Sequence, residues 1–124
     1  MKKVIYTKNA PEPIGPYSQA ILVNDTLYAS GQIAINPATG EFSDTDIKSQ
    51  TEQVCKNIEE ILKASDMTFE NVVKTTCFLA YISDFAEFNK VYDKYFVSKP
   101  ARSCVAAKEL PKNALVEIEI IAVK

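Results

Sequence analysis

The chain has one arginine, Arg102, against thirteen lysines, and no histidine. Without imidazole there is no Ser-His-Asp or Cys-His pair and no His-ligated zinc or iron centre. A general base must then be Asp, Glu, Lys, Tyr or Cys. Glu117 and Glu119 stand two apart in the run Leu115–Val123. In a strand that spacing turns both carboxylates to one face, about 7 Å apart. Their row is otherwise Leu115, Ile121 and Val123. Such a pair lies either at a wet edge or in a partly dry place where a carboxylate does chemistry. Arg102 shares a strand face with Cys104 and Ala106. There a guanidinium needs an acidic partner, such as Glu117 or Glu119, or an anionic ligand. Its fork matches both oxygens of a small carboxylate.

Four further residues carry weaker signals. Tyr17 follows Pro16 in a stiff segment that either aims a phenol or simply packs it. Ser30-Gly31 ends an apolar run, as a ligand-approach point or an ordinary turn. Asn89 flanks an aromatic helix face and points either into a pocket or into water. Cys55, Cys77 and Cys104 form no CxxC pair and are odd in number, so reduced, mostly buried thiols are expected.

The elements that must position these residues read as follows. Lys3–Tyr6 is a short strand, and the segment from Asn9 to Pro16 is irregular, with three prolines and Gly15. Gln19–Val23 and Leu27–Ser30 form a hairpin around Asn24-Asp25-Thr26. Pro37-Ala38-Thr39-Gly40 is a turn. Ile47, Thr51, Val54, Ile58, Ile61 and Leu62 step along one helix face between Asp46 and Ser65, with Asp44 or Thr45 as N-cap. Val72–Ala80 is a strand. Ser83-Asp84 opens a second helix with Phe85, Phe88, Tyr92, Tyr95 and Phe96 on one face, and Pro100 closes that segment. Arg102–Ala107 and Leu115–Val123 are the last strands, separated by Leu110-Pro111-Lys112-Asn113. The order β, β-β, α, β, α, β, β predicts an α+β domain with two helices on one face of a mixed sheet. The other face is too apolar to be left wet, so burial between subunits is expected.

The whole chain bounds the function. Its 124 residues make one domain, 1–124, and 47% apolar with 24% charged residues is a globular composition. The net charge of −2 argues against a nucleic-acid surface. No apolar h-region opens the chain, and no apolar run is long enough to span a bilayer. A cytoplasmic protein with no membrane or nucleic-acid partner is expected.

Several motifs occur together: Asn9-Ala10-Pro11, Ile14-Gly15-Pro16-Tyr17-Ser18-Gln19-Ala20, Ala29-Ser30-Gly31-Gln32-Ile33, Val73-Lys74-Thr75-Thr76, Pro100-Ala101-Arg102-Ser103-Cys104-Val105, and Leu110-Pro111 before Val116-Glu117-Ile118-Glu119. From Tyr6 to Val123 the chain resembles the RidA/YjgF reactive-intermediate deaminase family, and the RidA subfamily within it. The resemblance implies a chorismate-mutase-like fold and a homotrimer with active sites between subunits. It implies a hydrolase that converts 2-imino acids (2-iminobutanoate, 2-iminopropanoate) to 2-oxo acids and ammonia, with no cofactor and no metal. By position, Arg102 would bind the substrate carboxylate, assisted by the Gly31 backbone beside Ser30. Glu117 and the Cys104 carbonyl would hold the attacking water, and Tyr17 and Asn89 would line the cleft. The run from Tyr95-Phe96 to Pro100 is slightly short for the family. Three other readings are a non-catalytic trimer that senses small 2-oxo acids, an RNA-acting protein, and a plain trimeric scaffold in which Arg102 and Glu117 only bridge subunits. The single arginine and the negative charge oppose the second.

Overall fold

The computed structural model describes residues 1–42 and 44–124. Six strands form one sheet, in the order β1 (Lys2–Ile5), β2 (Ala20–Val23), β3 (Thr26–Gln32), β8 (Val116–Val123), β6 (Val72–Leu79), β7 (Ala101–Ala106). All neighbours are antiparallel except β6 and β7, which run parallel. Parallel strands need a crossover, and α2 (Phe85–Tyr95) supplies it. Helix α1 (Ile47–Ala64) precedes β6, and the two helices pack together on one face of the sheet. This is the α+β arrangement expected from the order of elements.

Alternation decides the faces. In β8, Val116, Ile118, Ile120 and Ala122 are buried beneath the helices, while Glu117, Glu119, Ile121 and Val123 turn to the open face. Helix α1 buries Val54, Cys55, Ile58, Ile61 and Leu62 against that layer. Each such aliphatic side chain contributes roughly 1.5–3 kcal/mol on burial. From α2 and its end, Phe88, Tyr92 and Phe96 join the core, with Tyr92 stacked on Phe96 at 4.2 Å between ring centres. The expected aromatic row breaks at Phe85, which is 36% exposed at the rim.

One local expectation is corrected and one is met. The cap of α1 is Asp46, not Asp44 or Thr45, because its carboxylate is the one that accepts from the Ser49 amide, at 3.0 Å. The turn Pro37–Gly40 joins two strands of two residues each, β4 (Ile35–Asn36) and β5 (Glu41–Phe42), too short to show any periodicity. The open face of the sheet carries Tyr28 and Val105, each 49% exposed, beside Ile121 and Val123. Among the described residues no helix is long and apolar enough to cross a membrane.

Candidate active site in two halves

The carboxylate half lies where β3 meets β8. Their register slips between Ala29 and Gln32, so Ser30 and Gly31 form a bulge. Bulges bend a strand and re-aim what lies beside it. Glu117 fills the space a side chain at Gly31 would need: an added Cβ would stand 2.9 Å from the Glu117 Cδ and closer still to its Oε2. The absence of a side chain at 31 is therefore what seats this carboxyl. A cleft of about 570 Å³ opens there, lined among others by Tyr17, Gly31, Lys112, Glu117 and Glu119. Glu117 is half-buried, and its carboxyl is held above the usual glutamate range, first by burial and then by the charge of Glu119.

The wall of this cleft is the irregular segment before β2, and one buried side chain fixes it. The Gln19 amide donates to the carbonyls of Thr7 and Pro11, both at 2.9 Å, and its Oε1 accepts from the Thr7 amide at 2.7 Å. Tyr17 stands exposed beyond it, after a tight turn in which Gly15 takes φ 136°. Ser30 lines the cleft, but its hydroxyl is committed to the Ser18 carbonyl at 2.6 Å. Its side chain ties β3 to the segment that carries Tyr17.

The arginine half lies on the other face, at the sheet edge. Arg102 pairs with Thr75 in the β6–β7 ladder, so it points to the helix side. Its Nη1 donates to Asn89 Oδ1 at 2.8 Å. Its guanidinium carbon lies 4.7 Å from the centre of the Tyr92 ring and 5.3 Å from that of Phe85. The Tyr92 hydroxyl is itself tied to Thr75 Oγ1 at 2.8 Å. Burial pushes the Tyr92 phenol up to about 12, so it stays neutral. A second cleft, of about 540 Å³, runs past Asn89, Tyr92, Lys99, Pro100 and Arg102. Cys104 follows on the same strand face, half-buried, its thiol raised by burial and drawn partly back by Arg102. The short run into Pro100 closes as a tight turn: Ser98 Oγ donates to the Val72 carbonyl at 2.7 Å, and Lys99 takes φ 52°.

One chain thus brings Tyr17, Ser30, Gly31 and Glu117 together, and separately Asn89, Arg102 and Cys104. Strand β6 lies between β7 and β8, and the two charged residues face opposite sides of the sheet. A salt bridge from Arg102 to Glu117 or Glu119 within the chain is thereby ruled out. Among the described residues no carboxylate pairs with Arg102. Sequence reasoning missed Tyr92 and Phe85 as neighbours of Arg102 because they sit in a row of aromatics that reads as core. It also missed Gln19, which in sequence is one polar residue at a strand start.

The fold recurs in known proteins. The family model described as Endoribonuclease L-PSP matches residues 7–124. A RutC family protein of Pyrococcus horikoshii is 53% identical over 100% of this chain and 99% of its own. The human protein named 2-iminobutanoate/2-iminopropanoate deaminase is 46% identical over 100% of this chain and 91% of its own. Among solved structures, E. coli TdcF with bound serine superposes with a TM-score of 0.94 at 37% identity, covering 98% of each chain. A match across nearly the whole length, in sequence and in fold alike, leaves one conclusion: the chain belongs to the Endoribonuclease L-PSP family, the YjgF/RidA family its motifs resemble.

Proposed function

We propose that this protein hydrolyses small 2-imino acids to 2-oxo acids and ammonia, in clefts assembled between the subunits of a cytoplasmic homotrimer. The observation that carries this reading is a half-dry carboxylate seated on Gly31 in a cleft, with the lone arginine held at a second cleft and no acidic partner for it among the described residues. An anion anchor and a proton-transfer group are what imine hydrolysis requires of a protein. The name of the human relative, a 2-iminobutanoate/2-iminopropanoate deaminase, supports the substrate class. The apolar open face around Tyr28 and Val105 supports assembly. Free thiols at Cys55, Cys77 and Cys104 suit a reducing compartment.

In this reading Arg102 of one subunit binds the substrate carboxylate against the Glu117 cleft of the next. Glu117 and the Cys104 carbonyl position a water at the imine carbon. Tyr17 and the Gly31 backbone line the carboxylate cleft, and Asn89 lies on the arginine side. The water oxygen adds to the C=N carbon as its proton passes to Glu117. Glu117 then returns that proton to nitrogen. The hydroxyl's own proton passes by way of Glu117 to the same nitrogen as the C–N bond breaks, so nitrogen leaves as ammonia and the hydroxyl oxygen becomes the carbonyl of the 2-oxo acid. The exchange is redox-neutral and uses only water, so it calls for no redox cofactor, and the family resemblance implies no metal. The test is a coupled assay: threonine dehydratase generates the imine, semicarbazide traps it, and the protein competes for it. A protein with this activity lowers the trapped fraction in proportion to its concentration. Binding of 2-oxobutanoate without that loss would favour a non-catalytic sensor instead.

A further inference from the structure

We propose that Tyr92 is a positioning residue for Arg102: its ring, with Phe85 and the Asn89 amide, fixes the plane of the guanidinium so that the remaining N–H groups face a ligand carboxylate. This role rests on the reading of Arg102 as an anion anchor. Three contacts carry it. The guanidinium carbon lies 4.7 Å from the Tyr92 ring centre, inside the range of cation–π attraction, and 5.3 Å from that of Phe85. Nη1 is spent on Asn89 at 2.8 Å, and among the described residues that is the guanidinium's one hydrogen bond. Nη2 and Nε are left as donors, a pair with the fork geometry that a carboxylate accepts. The ring is confined by packing, with Phe88 at 5.5 Å and Phe96 stacked at 4.2 Å between ring centres, and its hydroxyl meets Thr75 at 2.8 Å. Asn89 then acts on the substrate through Arg102. An arginine on an edge strand without such a mount would spread over several rotamers and lose that freedom on each binding event.

Arg102 is the only arginine, so its Nε–H group gives one nitrogen–proton NMR signal that needs no assignment. That signal is read in Tyr92→Phe, Tyr92→Leu and Phe85→Leu, with 2-oxobutanoate affinity and the KM and kcat of imine hydrolysis. Melting curves keep each measurement on folded protein. Tyr92→Phe keeps the ring, and the signal, affinity and KM should stay near wild type. Tyr92→Leu removes the ring. The signal should lose its ring shift, and KM should rise about fivefold or more with kcat within about twofold. Should Tyr92→Leu unfold, Phe85→Leu at the exposed rim gives the same changes in smaller size. An Arg102 signal unmoved by both leucine variants, with affinity intact, overturns the proposal and spares the anchor. An affinity loss in Tyr92→Leu that persists undiminished in an Arg102→Lys background also overturns it, since the ring would then not act through Arg102. A wild-type protein that neither binds 2-oxobutanoate nor hydrolyses the imine, its Arg102 signal still ring-shifted, removes the anchor reading and this role with it.

Discussion

Glu117 keeps its carboxyl half out of water beside a second carboxylate, an arrangement that favours the protonated form. Because its pKa is raised on folding, the native state binds the proton more tightly than the unfolded chain. Its contribution to stability is therefore greatest below the ordinary glutamate pKa and fades as pH rises through the native one. We expect Glu119→Gln to lower the native pKa of Glu117, seen in a carbon NMR titration of its carboxyl, and to move the acid limb of the rate profile the same way. Arg102→Lys keeps the charge and loses the fork, so imine hydrolysis should fall at least about tenfold with the fold intact. Glu117→Gln should keep 2-oxobutanoate affinity and lose about a hundredfold or more in kcat. Full activity in Arg102→Lys would end the anchor hypothesis. Composition made these two residues legible, because the chain has one arginine, no histidine and a carboxylate pair in an apolar row. Tyr92 was not legible as the arginine's mount. Which aromatic lies under Arg102 depends on where α2 crosses β7, and that crossing is set by packing at a distance.

At the scale of elements, periodicity revealed both helices and the long strands, since a buried face there imposes its period on eight or more residues. It failed where few residues or single side chains decide. The hairpin β4–β5 has two residues per strand. The bulge at Ser30-Gly31 leaves no mark in its own sequence beyond one glycine, since the slip belongs to the pairing with β8. Gln19 shows the same limit: it is an unremarkable polar residue until its amide is seen closing on Thr7 and Pro11. We expect Gln19→Leu to cost about 1–3 kcal/mol in denaturant unfolding, because the Thr7 and Pro11 carbonyls would lose their donor. The cleft wall should loosen with it, so amide exchange should quicken across residues 7–18. Unchanged exchange there would show that the prolines alone hold the segment.

For the whole molecule, the sheet is dressed on one side only. Tyr28 and Val105 stand half-exposed on the bare side, together with Ile121 and Val123. A second copy is the covering that would also bring an Arg102 to a Glu117. We expect a sedimentation mass of roughly three times the 13.8 kDa of one chain. Val105→Asp should dissociate the assembly and abolish imine hydrolysis together; a monomer that keeps full activity would rule out sites between subunits. The two faces of β6 have a further, genetic meaning. If every site takes its arginine from one subunit and its glutamate from the next, Arg102→Lys and Glu117→Gln are two null alleles that can rescue each other. Co-expressed in equal amounts and mixed at random, they should rebuild a wild-type pairing in about a quarter of the sites. Neither parent alone should have any. A heterozygote more active than either homozygote would thus report, without a structure of the complex, that the sheet keeps the two halves of the chemistry apart until copies meet.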